Sequence, residues 1–320
     1  MSRSVLITGG AGFVGSHLCG ALVGAGASVV AVDNLQNGLR DNLAEGVEFV
    51  LADISGETFL SHFAHRRFDA VIHCAAQSSN ALSFRDPMLD IASNQIGTLN
   101  VLRLCERLRI PRLLFTSSMS VYGQAECLPT PETEPVRPQS LYAVHKAASE
   151  QYIQLLAPAS GIHATIFRLF TTYGPGQNLA NRDQGLVSIY LSYVLRGEPV
   201  VVKGSGERRR DLIYIEDVVR ALLGALDERV TFGKTYNLGS GRAHRIADVV
   251  RWLVRACGGG LDYPVVYEAP TPGDPRETLA DVSRLHEDLG WEPRIAVDEG
   301  ITHTVRAYRN AAKQSQHEGV

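Results

Sequence analysis

Residues 8–15 read Thr8-Gly9-Gly10-Ala11-Gly12-Phe13-Val14-Gly15, a glycine-rich stretch between an apolar run at 4–8 and an amphipathic stretch at 13–23. Gly9, Gly12 and Gly15 permit a tight strand-to-helix turn and let backbone N–H groups approach a bound diphosphate. A strand-to-helix turn without a ligand has similar glycines. The stretch alone therefore predicts a strand–turn–helix unit and leaves open what the turn binds.

The first half of the chain alternates short β-branched runs with longer amphipathic stretches, a pattern typical of parallel strands joined by crossover helices. The apolar runs predict strands at 4–8, 28–32, 47–51, 70–73, 112–116 and 164–168. Apolar residues at helical spacing predict helices at 13–23, 87–107 and 141–156. Because the strands are nearly all apolar, we expect a sheet covered on both faces. The fold class is α/β, with a Rossmann-type doubly wound parallel sheet.

Beyond residue 170 the texture changes to Gly- and Pro-rich connections between short helices and strands. We expect a sheet domain at 1–170, joined by a returning segment at about 211–238 that brings the runs 212–214 and 235–238 back to the sheet. A smaller C-terminal α/β lobe would comprise 171–210 and 239–312. Residues 313–320 are predicted to form a flexible polar tail.

Composition excludes several classes of protein. The 320 residues are 45% hydrophobic and 20% charged, and the formal net charge of −3 gives no broad positive field for nucleic acid or an anionic membrane. No apolar run approaches the roughly 20 residues that span a bilayer, and the N-terminus lacks a signal-peptide pattern. We therefore expect a cytoplasmic protein with no nucleic-acid or membrane partner.

The cysteines are odd in number and form no Cys-x-x-Cys pair, so they support neither a disulfide framework nor a metal site. We expect all of them to be buried small hydrophobic residues: Cys19, Cys74, Cys105, Cys127 and Cys257.

Asp33 ends the second apolar run and favours a dinucleotide as the ligand of the glycine turn. Its carboxylate would accept hydrogen bonds from both ribose hydroxyls of an adenosine and would repel a 2′-phosphate. No Arg or Lys follows immediately, so NAD is favoured over NADP. Asp53 and Ile54 close the third strand and would meet the adenine, although an Asp at a strand end is also a common helix cap.

Tyr142 and Lys146 lie four residues apart at the start of a predicted helix and project from one face. A phenol ionises near pH 10, and a neighbouring ammonium together with a positive nicotinamide would lower its pKa, so that Tyr142 takes a hydroxyl proton. Ser117 and Ser118 end the fifth strand, where Ser118 would donate to the same oxygen. Such a Tyr–Lys pair is also common on helix surfaces, but here it follows the glycine turn, Asp33 and the serines in order.

Taken together, these motifs resemble the extended short-chain dehydrogenase/reductase family, the nucleotide-sugar epimerases and dehydratases, over nearly the whole chain. The matching segments are the glycine turn, His-Cys-Ala-Ala-Gln at 73–77, Asn94-x-x-Gly97-Thr98, Ser117-Ser118-x-x-Val121-Tyr122-Gly123, Tyr142-x-x-x-Lys146, Tyr173-Gly174-Pro175, Arg210-Asp211 and Pro272-Gly273-Asp274. The resemblance implies tightly held NAD, a nucleotide-diphosphate sugar bound between the two lobes, and a homodimer that pairs the helices at 87–107 and 141–156. A monomer with thick helix–sheet packing is the alternative.

Site residues follow from the motifs and the resemblance together. The catalytic residues are Ser118, Tyr142 and Lys146. The cofactor-binding residues are Gly9, Gly12, Phe13, Val14, Gly15, Asp33, Asn34, Asp53, Ile54, Ala75, Ala76, Gln77, Asn94, Ser117, Tyr142 and Lys146, with Asn94 and Lys146 on the nicotinamide ribose side. The substrate-binding residues are Ser78, Ser118, Ser120, Tyr142, Thr171, Arg210, Asp274 and Arg276, with Arg210 on the diphosphate.

The residues after Ser118 separate the chemistries of the family. Relatives that eliminate water carry an Asp-Glu pair where this chain has Met119-Ser120, and the decarboxylases carry a Glu at the position of Ser120. Neither side chain here performs that acid–base work. The resemblance therefore implies a UDP-hexose 4-epimerase, which oxidises C4 to a ketone, lets the sugar turn over and returns the hydride to the opposite face.

Two departures leave the sugar open. Thr171 stands where UDP-galactose 4-epimerases usually carry Asn and is more like the UDP-glucuronate enzymes. Thr271 stands where an Arg often binds the diphosphate, a role that Arg276 would take. Epimerisation at another carbon, a CDP-, GDP- or dTDP-sugar, a dehydratase, and an idle NAD-binding regulator are the remaining alternatives.

Other polar residues are more consistent with structural or solvent-exposed roles. His62, His65 and His145 are interpreted this way, as are Arg208 and Arg209 beside Arg210. The polar run Ser78, Ser79 and Asn80 would line a sugar pocket or satisfy a loop backbone.

Overall fold

The computed structural model describes residues 3–270 and 274–317, with 313–317 described by backbone alone. The strands are β1 Ser4–Thr8, β2 Ser28–Asp33, β3 Glu48–Leu51, β4 Ala70–His73, β5 Arg112–Ser118, β6 His163–Leu169, β7 Thr171–Tyr173, β8 Val200–Lys203, β9 Arg209–Tyr214, β10 Thr235–Leu238, β11 Ala243–Arg245 and β12 Val265–Glu268. The α-helices are α1 Phe13–Gly24, α2 Asn80–Arg85, α3 Pro87–Ile91, α4 Gly97–Leu108, α5 Leu141–Ala159, α6 Leu186–Leu195, α7 Ile215–Ala225, α8 Ile246–Ala256, α9 Ser283–Leu289 and α10 Val297–His317.

A seven-stranded, all-parallel sheet forms the centre of the molecule, in the order β10-β6-β5-β4-β1-β2-β3. The chain builds outward from β1 to β3 on one side and from β4 on the other, so the order reverses between β1 and β4. Ligands of doubly wound sheets bind at the carboxyl ends of the strands beside such a reversal. The predicted fold class is confirmed, and all six predicted strands form.

Both faces of the sheet are buried, as the apolar strands predicted. Alternate residues of β1 enter different clusters: Val5 and Ile7 pack on one face, and Leu6 packs on the other. The first cluster continues into the second half of the chain through Leu191 and Leu253, so one core joins the sheet to the segments beyond it.

The segments beyond β6 form two small sheets. One has the order β11-β9-β7 and the other pairs β12 with β8. The prediction that both 212–214 and 235–238 return to the central sheet is half correct, because β10 pairs with β6 while β9 pairs with β7 and β11. An apolar run predicts a strand but does not specify its partner. Since α7 packs against α1, the segment between β9 and β10 still lies against the sheet.

The single helix predicted at 87–107 is interrupted. A π-helical turn, Ala92–Ile96, separates α3 from α4. Within it the Asn94 amide donates to the Gln77 carbonyl and to Asp90, and Gly97 closes directly on Ile54. These contacts reshape the helix where it passes the cleft, as π-turns near functional sites often do. Apolar spacing cannot reveal them.

Two smaller expectations also need correction or restriction. Cys127 is exposed, and Cys74 and Cys257 are half-buried, so the cysteines are not uniformly buried. Helix α10 extends to His317, into the predicted tail, and 318–320 lie outside the described residues. None of the described helices is long and apolar enough to cross a membrane.

Candidate active site

The glycine turn lies at the carboxyl end of β1, where the strand order reverses. Gly9 adopts a left-handed conformation (φ 67°), and its N–H donates to Val32 O at the end of β2. A Cβ on Gly15 would lie 2.1 Å from the Gly9 carbonyl oxygen, so α1 can begin this close to the turn only with glycine there. Gly10, whose role the sequence did not reveal, packs directly on Ala31.

Asp33 ends β2 beside this turn. One carboxylate oxygen accepts from the N–H of Ala11 at 3.1 Å and the other accepts from the N–H of Leu35 at 2.8 Å. Burial raises the pKa of Asp33 above its usual value, and these backbone hydrogen bonds oppose the rise. The carboxylate is thus fixed at the edge of the cleft, as recognition of a ribose diol requires.

Asp53 follows β3 and has local partners. It accepts hydrogen bonds from the Asn34 amide at 2.8 Å and from both the N–H and the hydroxyl of Ser55. Although burial opposes the effect, the Ser55 and Asn34 hydrogen bonds hold the pKa of Asp53 below its usual value. Both the adenine-contact and the turn-capping interpretations of Asp53 therefore remain compatible with its position in the cleft wall.

Tyr142 and Lys146 meet at the opposite end of the cleft, at the start of α5. Ser140 caps this helix by accepting from the Ala143 N–H, which fixes where the helix begins. Lys146 Nζ donates to the Thr116 carbonyl at 2.7 Å and lies 4.1 Å from the centre of the Phe115 ring. Burial lowers the pKa of Lys146 to about 8.

The Tyr142 phenol is protonated at neutral pH in this structure. Burial raises its pKa to about 12, a hydrogen bond from Ser118 opposes the rise, and the Asp90 carboxylate adds to it. The sequence predicted that Lys146 and the positive nicotinamide of NAD would together lower this pKa; within the chain itself, the ammonium is bonded to Thr116 and burial dominates. A further positive charge in the cleft is needed before Tyr142 can act as a base.

The serines at the end of β5 have different partners. Ser117 donates to the Glu150 carboxylate at 2.5 Å, and Glu150 is ion-paired with Arg168. Ser118 Oγ accepts from the Ser120 N–H at 3.2 Å, and the Ser118 hydroxyl is itself hydrogen-bonded to Tyr142. Ser118 is therefore the serine suited to the chemistry.

The cleft between these two ends has a volume of about 460 Å³. Most of the predicted site residues line it: Gly9, Gly12, Phe13, Val14, Gly15, Asp33, Asn34, Asp53, Ile54, Ala75, Ala76, Gln77, Ser78, Ser117, Ser118, Tyr142, Lys146 and Thr171. They come from the carboxyl ends of several parallel strands, which explains why residues far apart in sequence share one cleft.

Other predicted residues lie outside this lining. Asn94 is buried behind it, with its amide bonded to Gln77 and Asp90. Ser120 contacts Ser118, as described above. Ser79 caps α2 and Asn80 accepts from Ser140, so both serve local structure rather than a sugar pocket.

The predicted diphosphate-binding arginine is held by a carboxylate. Arg210 Nη2 donates to Asp274 at 2.6 Å, and Arg208 bonds to the other oxygen of Asp274. Arg208 was predicted to be solvated but is buried, because it also bonds to the carbonyls of Ser205 and Lys203. Arg209 is exposed, as predicted.

Arg276 is exposed, and its backbone pairs with Arg209. Thr271, Pro272 and Gly273 lie outside the described residues. His62 and His65 are exposed, whereas His145 is buried against Asp90.

The sequence did not reveal a polar wall over the cleft. Asn37 donates to Gln184 and accepts from the Asn181 amide, both at 2.6 Å, so the loop after β2 meets the segment that precedes α6. All three side chains line the cleft, with Gln36 and Gly38. The only signal for them was the clustering of amide residues at 34–37 and 177–184, which does not predict the pairing.

The cleft fits a dinucleotide. The glycine turn presents backbone N–H groups at a helix start, Asp33 lies at one end and Lys146 at the other, and a Cβ at Gly15 would occupy the turn. Such a fold and site define a nucleotide-binding α/β enzyme of the dehydrogenase type. Residues 5–239 match the model of the NAD dependent epimerase/dehydratase family, and the chain belongs to that family.

Relatives across the whole length have different activities. The UDP-glucose 4-epimerase of Mycolicibacterium smegmatis is 33% identical over 96% of this chain and 99% of its own. UDP-glucuronic acid decarboxylase 1 of Xenopus tropicalis is 31% identical over 99% of this chain and 74% of its own. The structure of UDP-glucose 4-epimerase from Thermotoga maritima with UDP-glucose matches with a TM-score of 0.92 and 35% identity, over 97% of this chain and 100% of that chain.

Proposed function

We propose that this chain is an NAD-dependent epimerase that inverts C4 of a UDP-hexose. The UDP-glucose 4-epimerases described above support the reaction, since they match nearly the full length of the chain. NAD, when bound, supplies the hydride acceptor and donor. The sequence leaves the glucose, N-acetyl and uronic acid forms of the sugar open.

The chain's own residues handle the proton. Tyr142 begins protonated, and the positive charge of an oxidised nicotinamide beside it would favour its phenolate, which then takes the proton of a sugar hydroxyl. Ser118, which is hydrogen-bonded to Tyr142 in this structure, would turn its hydroxyl hydrogen to the same sugar oxygen. Lys146, fixed by Thr116, adds positive charge at that end of the cleft.

The positions of the acidic side chains in the cleft favour one of the family's reactions over the others. Among the described residues that line the cleft, the acidic side chains are Asp33 and Asp53, both at the end opposite Tyr142. Elimination and decarboxylation in related enzymes use a carboxyl group beside the catalytic tyrosine. Met119 and Ser120 supply none, which favours oxidation and re-reduction at C4 alone.

Incubation of the purified protein with UDP-glucose, UDP-N-acetylglucosamine and UDP-glucuronate tests the proposal. We expect at least one to give its C4 epimer, and Tyr142→Phe to abolish the conversion while retaining bound NAD. No C4 epimer from any substrate, or a dehydrated or decarboxylated product, would contradict it.

The nucleotide end of the substrate, we propose, binds between the sheet domain and the smaller lobe, at Arg210 and Arg208. Two guanidinium groups already share one carboxylate, that of Asp274, and a diphosphate offers them oxygens of matching charge and geometry. Arg208 then joins the substrate-binding residues predicted from the sequence.

A homodimer is also proposed. Exposed apolar side chains occur on helices that pack against one another, with Phe84 on α2, Met88 on α3, and Val144 and Leu155 on α5. Val144 and Leu155 lie on one stripe of α5 by their spacing. Apolar side chains this exposed on neighbouring helices favour a protein interface.

A further inference from the structure

Asp90 connects three elements behind the catalytic residues. Its carboxylate is fully buried and accepts from the Gln77 amide at 2.5 Å and from the Asn94 amide at 3.0 Å, while its second oxygen bonds to His145 Nδ1. Gln77 belongs to the loop after β4, Asn94 to the π-turn, and His145 to α5. His145 lies between Tyr142 and Lys146 along that helix.

A carboxylate buried this completely is costly unless a positive group accompanies it. Two neutral amides satisfy one of the Asp90 oxygens but do not compensate its charge. The remaining oxygen faces an imidazole, the side chain that gains a proton most readily near neutral pH. The His145 side chain is also buried, so a proton on it is screened little by solvent.

Asp90 is close enough to act on Tyr142, because a negative charge on this carboxylate, unless it is offset, contributes to raising the pKa of that phenol. The other titratable groups around α5 have partners or are neutral. Glu150 pairs with Arg168, Arg85 on α2 pairs with Asp183, and Lys146 is bonded to Thr116. Burial lowers the pKa of His73 to about 3 and raises that of Cys74 to about 12. His145 is thus the group placed to offset Asp90.

We propose that Asp90 and His145 form a buried carboxylate–imidazolium pair of zero net charge, which shields the Tyr142 phenol from a negative charge. His145 is then a positioning residue for proton transfer. This role rests on the function proposed for Tyr142. Without the proton on His145, Asp90 would oppose formation of the phenolate that the reaction needs.

Titration of Tyr142 in the NAD-bound protein tests the pair. Tyrosinate absorbance is followed against pH, and the same titration of Tyr142→Phe is subtracted. We expect His145→Asn, which retains a hydrogen-bond donor but no charge, to raise the Tyr142 pKa by about one unit, at the low end of the effect of a nearby charge. Asp90→Asn and the double variant Asp90→Asn/His145→Asn should titrate like the unaltered protein.

A purely structural role would lower the melting temperature of the variants and leave the Tyr142 titration unchanged, which would overturn the proposal. A fall in the Tyr142 pKa on Asp90→Asn alone would do the same, because it would show that the charge is not offset. Neither the Tyr142 titration nor the melting-temperature measurement needs a sugar substrate. Failure of the proposed epimerase reaction is therefore distinguishable from failure of this pair.

Ring-nitrogen NMR of the unaltered holoprotein covers the case in which the variants do not fold. The His145 signals are assigned by their loss in a His145→Gln variant or by through-bond connectivity. At pH 7 we expect both ring nitrogens of His145 to carry protons. A neutral imidazole at that pH contradicts the pair.

Discussion

The Asp33 carboxylate is fixed before any ligand arrives, since the N–H groups of Ala11 and Leu35 each bond to one of its oxygens. Each oxygen retains lone pairs for a ribose hydroxyl. A phosphate on the same ribose would meet a negative charge held in place by the backbone. We therefore assign the preference for NAD over NADP to the Asp33 side chain.

Asp33→Ala should weaken NAD binding and reduce the preference for NAD over NADP. A hydrogen bond to a charged group contributes about 1.5–3 kcal/mol, so we expect NAD affinity to fall about tenfold to a hundredfold. Calorimetric titration with both dinucleotides measures this. Asp41→Ala, which removes an exposed carboxylate nearby, should change neither affinity; an unchanged preference in Asp33→Ala would contradict the assignment.

Lys146 places a positive charge where burial disfavours it. Its pKa of about 8 is below the ordinary 10.5, so between these pH values the unfolded chain binds the proton more tightly than the folded one. The free energy of unfolding should therefore rise with pH across this window. The cost of the buried charge is greatest below pH 8.

Lys146→Met should remove that pH dependence, which amounts to about 3 kcal/mol, together with the activity. Urea unfolding at pH 7.5 and pH 10.5 measures the difference between variant and unaltered protein. Lys203→Met, at an exposed lysine, is the matched control. Its difference in free energy of unfolding from the unaltered protein should be the same at both pH values. A Lys146→Met protein that follows the same pH dependence as the unaltered chain would contradict a depressed pKa.

Among the individual residues, the sequence predicted those cleft residues that belong to short motifs. Tyr142, Lys146, Ser118 and Asp33 all lie in the cleft. It missed the partners that only the fold assembles, such as His145, which is 55 residues from Asp90 in the chain. The spacing of residues in the sequence indicates which side chains are neighbours along one strand or helix. Burial and pairing between elements depend instead on tertiary packing.

At the scale of elements, the glycine turn and α1 form one unit. The first helical turn crosses the Gly9 carbonyl so closely that a methyl group on Gly15 has no room. The atoms that this methyl group would meet belong to the backbone of Gly9 and Gly10, which cannot rotate away as a side chain would. The turn and the helix start therefore move together if either changes.

Gly15→Ala should distort the turn, destabilise the fold by at least about 2 kcal/mol and weaken NAD binding. Gly24→Ala, in the last residue of the same helix, meets no atom within 4 Å and should stabilise by up to about 1 kcal/mol. Chemical unfolding and dinucleotide titration of both variants measure these effects. Equal behaviour of the two would contradict the close approach.

Element prediction succeeded where one local pattern determined the outcome. The central strands are short apolar runs, and both their existence and their parallel arrangement followed from that pattern. The π-turn at Ala92–Ile96 and the pairing of β9 did not, since the first depends on Asp90 and Gln77 and the second on strands distant in sequence.

At the scale of the whole molecule, the central sheet carries the cleft, and Arg208 and Arg210 lie in the segments beyond β6. One continuous apolar core joins them. The proposed lobe boundaries, the homodimer and the cytoplasmic location stay predictions. Of these predictions, the homodimer can be tested directly by substituting exposed apolar side chains.

Leu155→Asp and Met88→Asp should convert a dimer into a monomer, because each places a charge on a side chain more than 70% exposed in the isolated chain, at 73% and 71%. Analytical ultracentrifugation measures the mass. Leu261→Asp, at a leucine 94% exposed in the other lobe, should leave the dimer intact. An unaltered protein that sediments as a monomer would contradict the interface.

The central claim is hydride removal and return at one carbon of a UDP-hexose. Its most direct test is a substrate labelled with deuterium at C4, incubated in ordinary water with the NAD-bound protein. We expect the C4 epimer to form with the deuterium still on C4 and no solvent hydrogen at any carbon. Loss of the label to water, exchange at another carbon, or no inversion at C4 would contradict the proposed function.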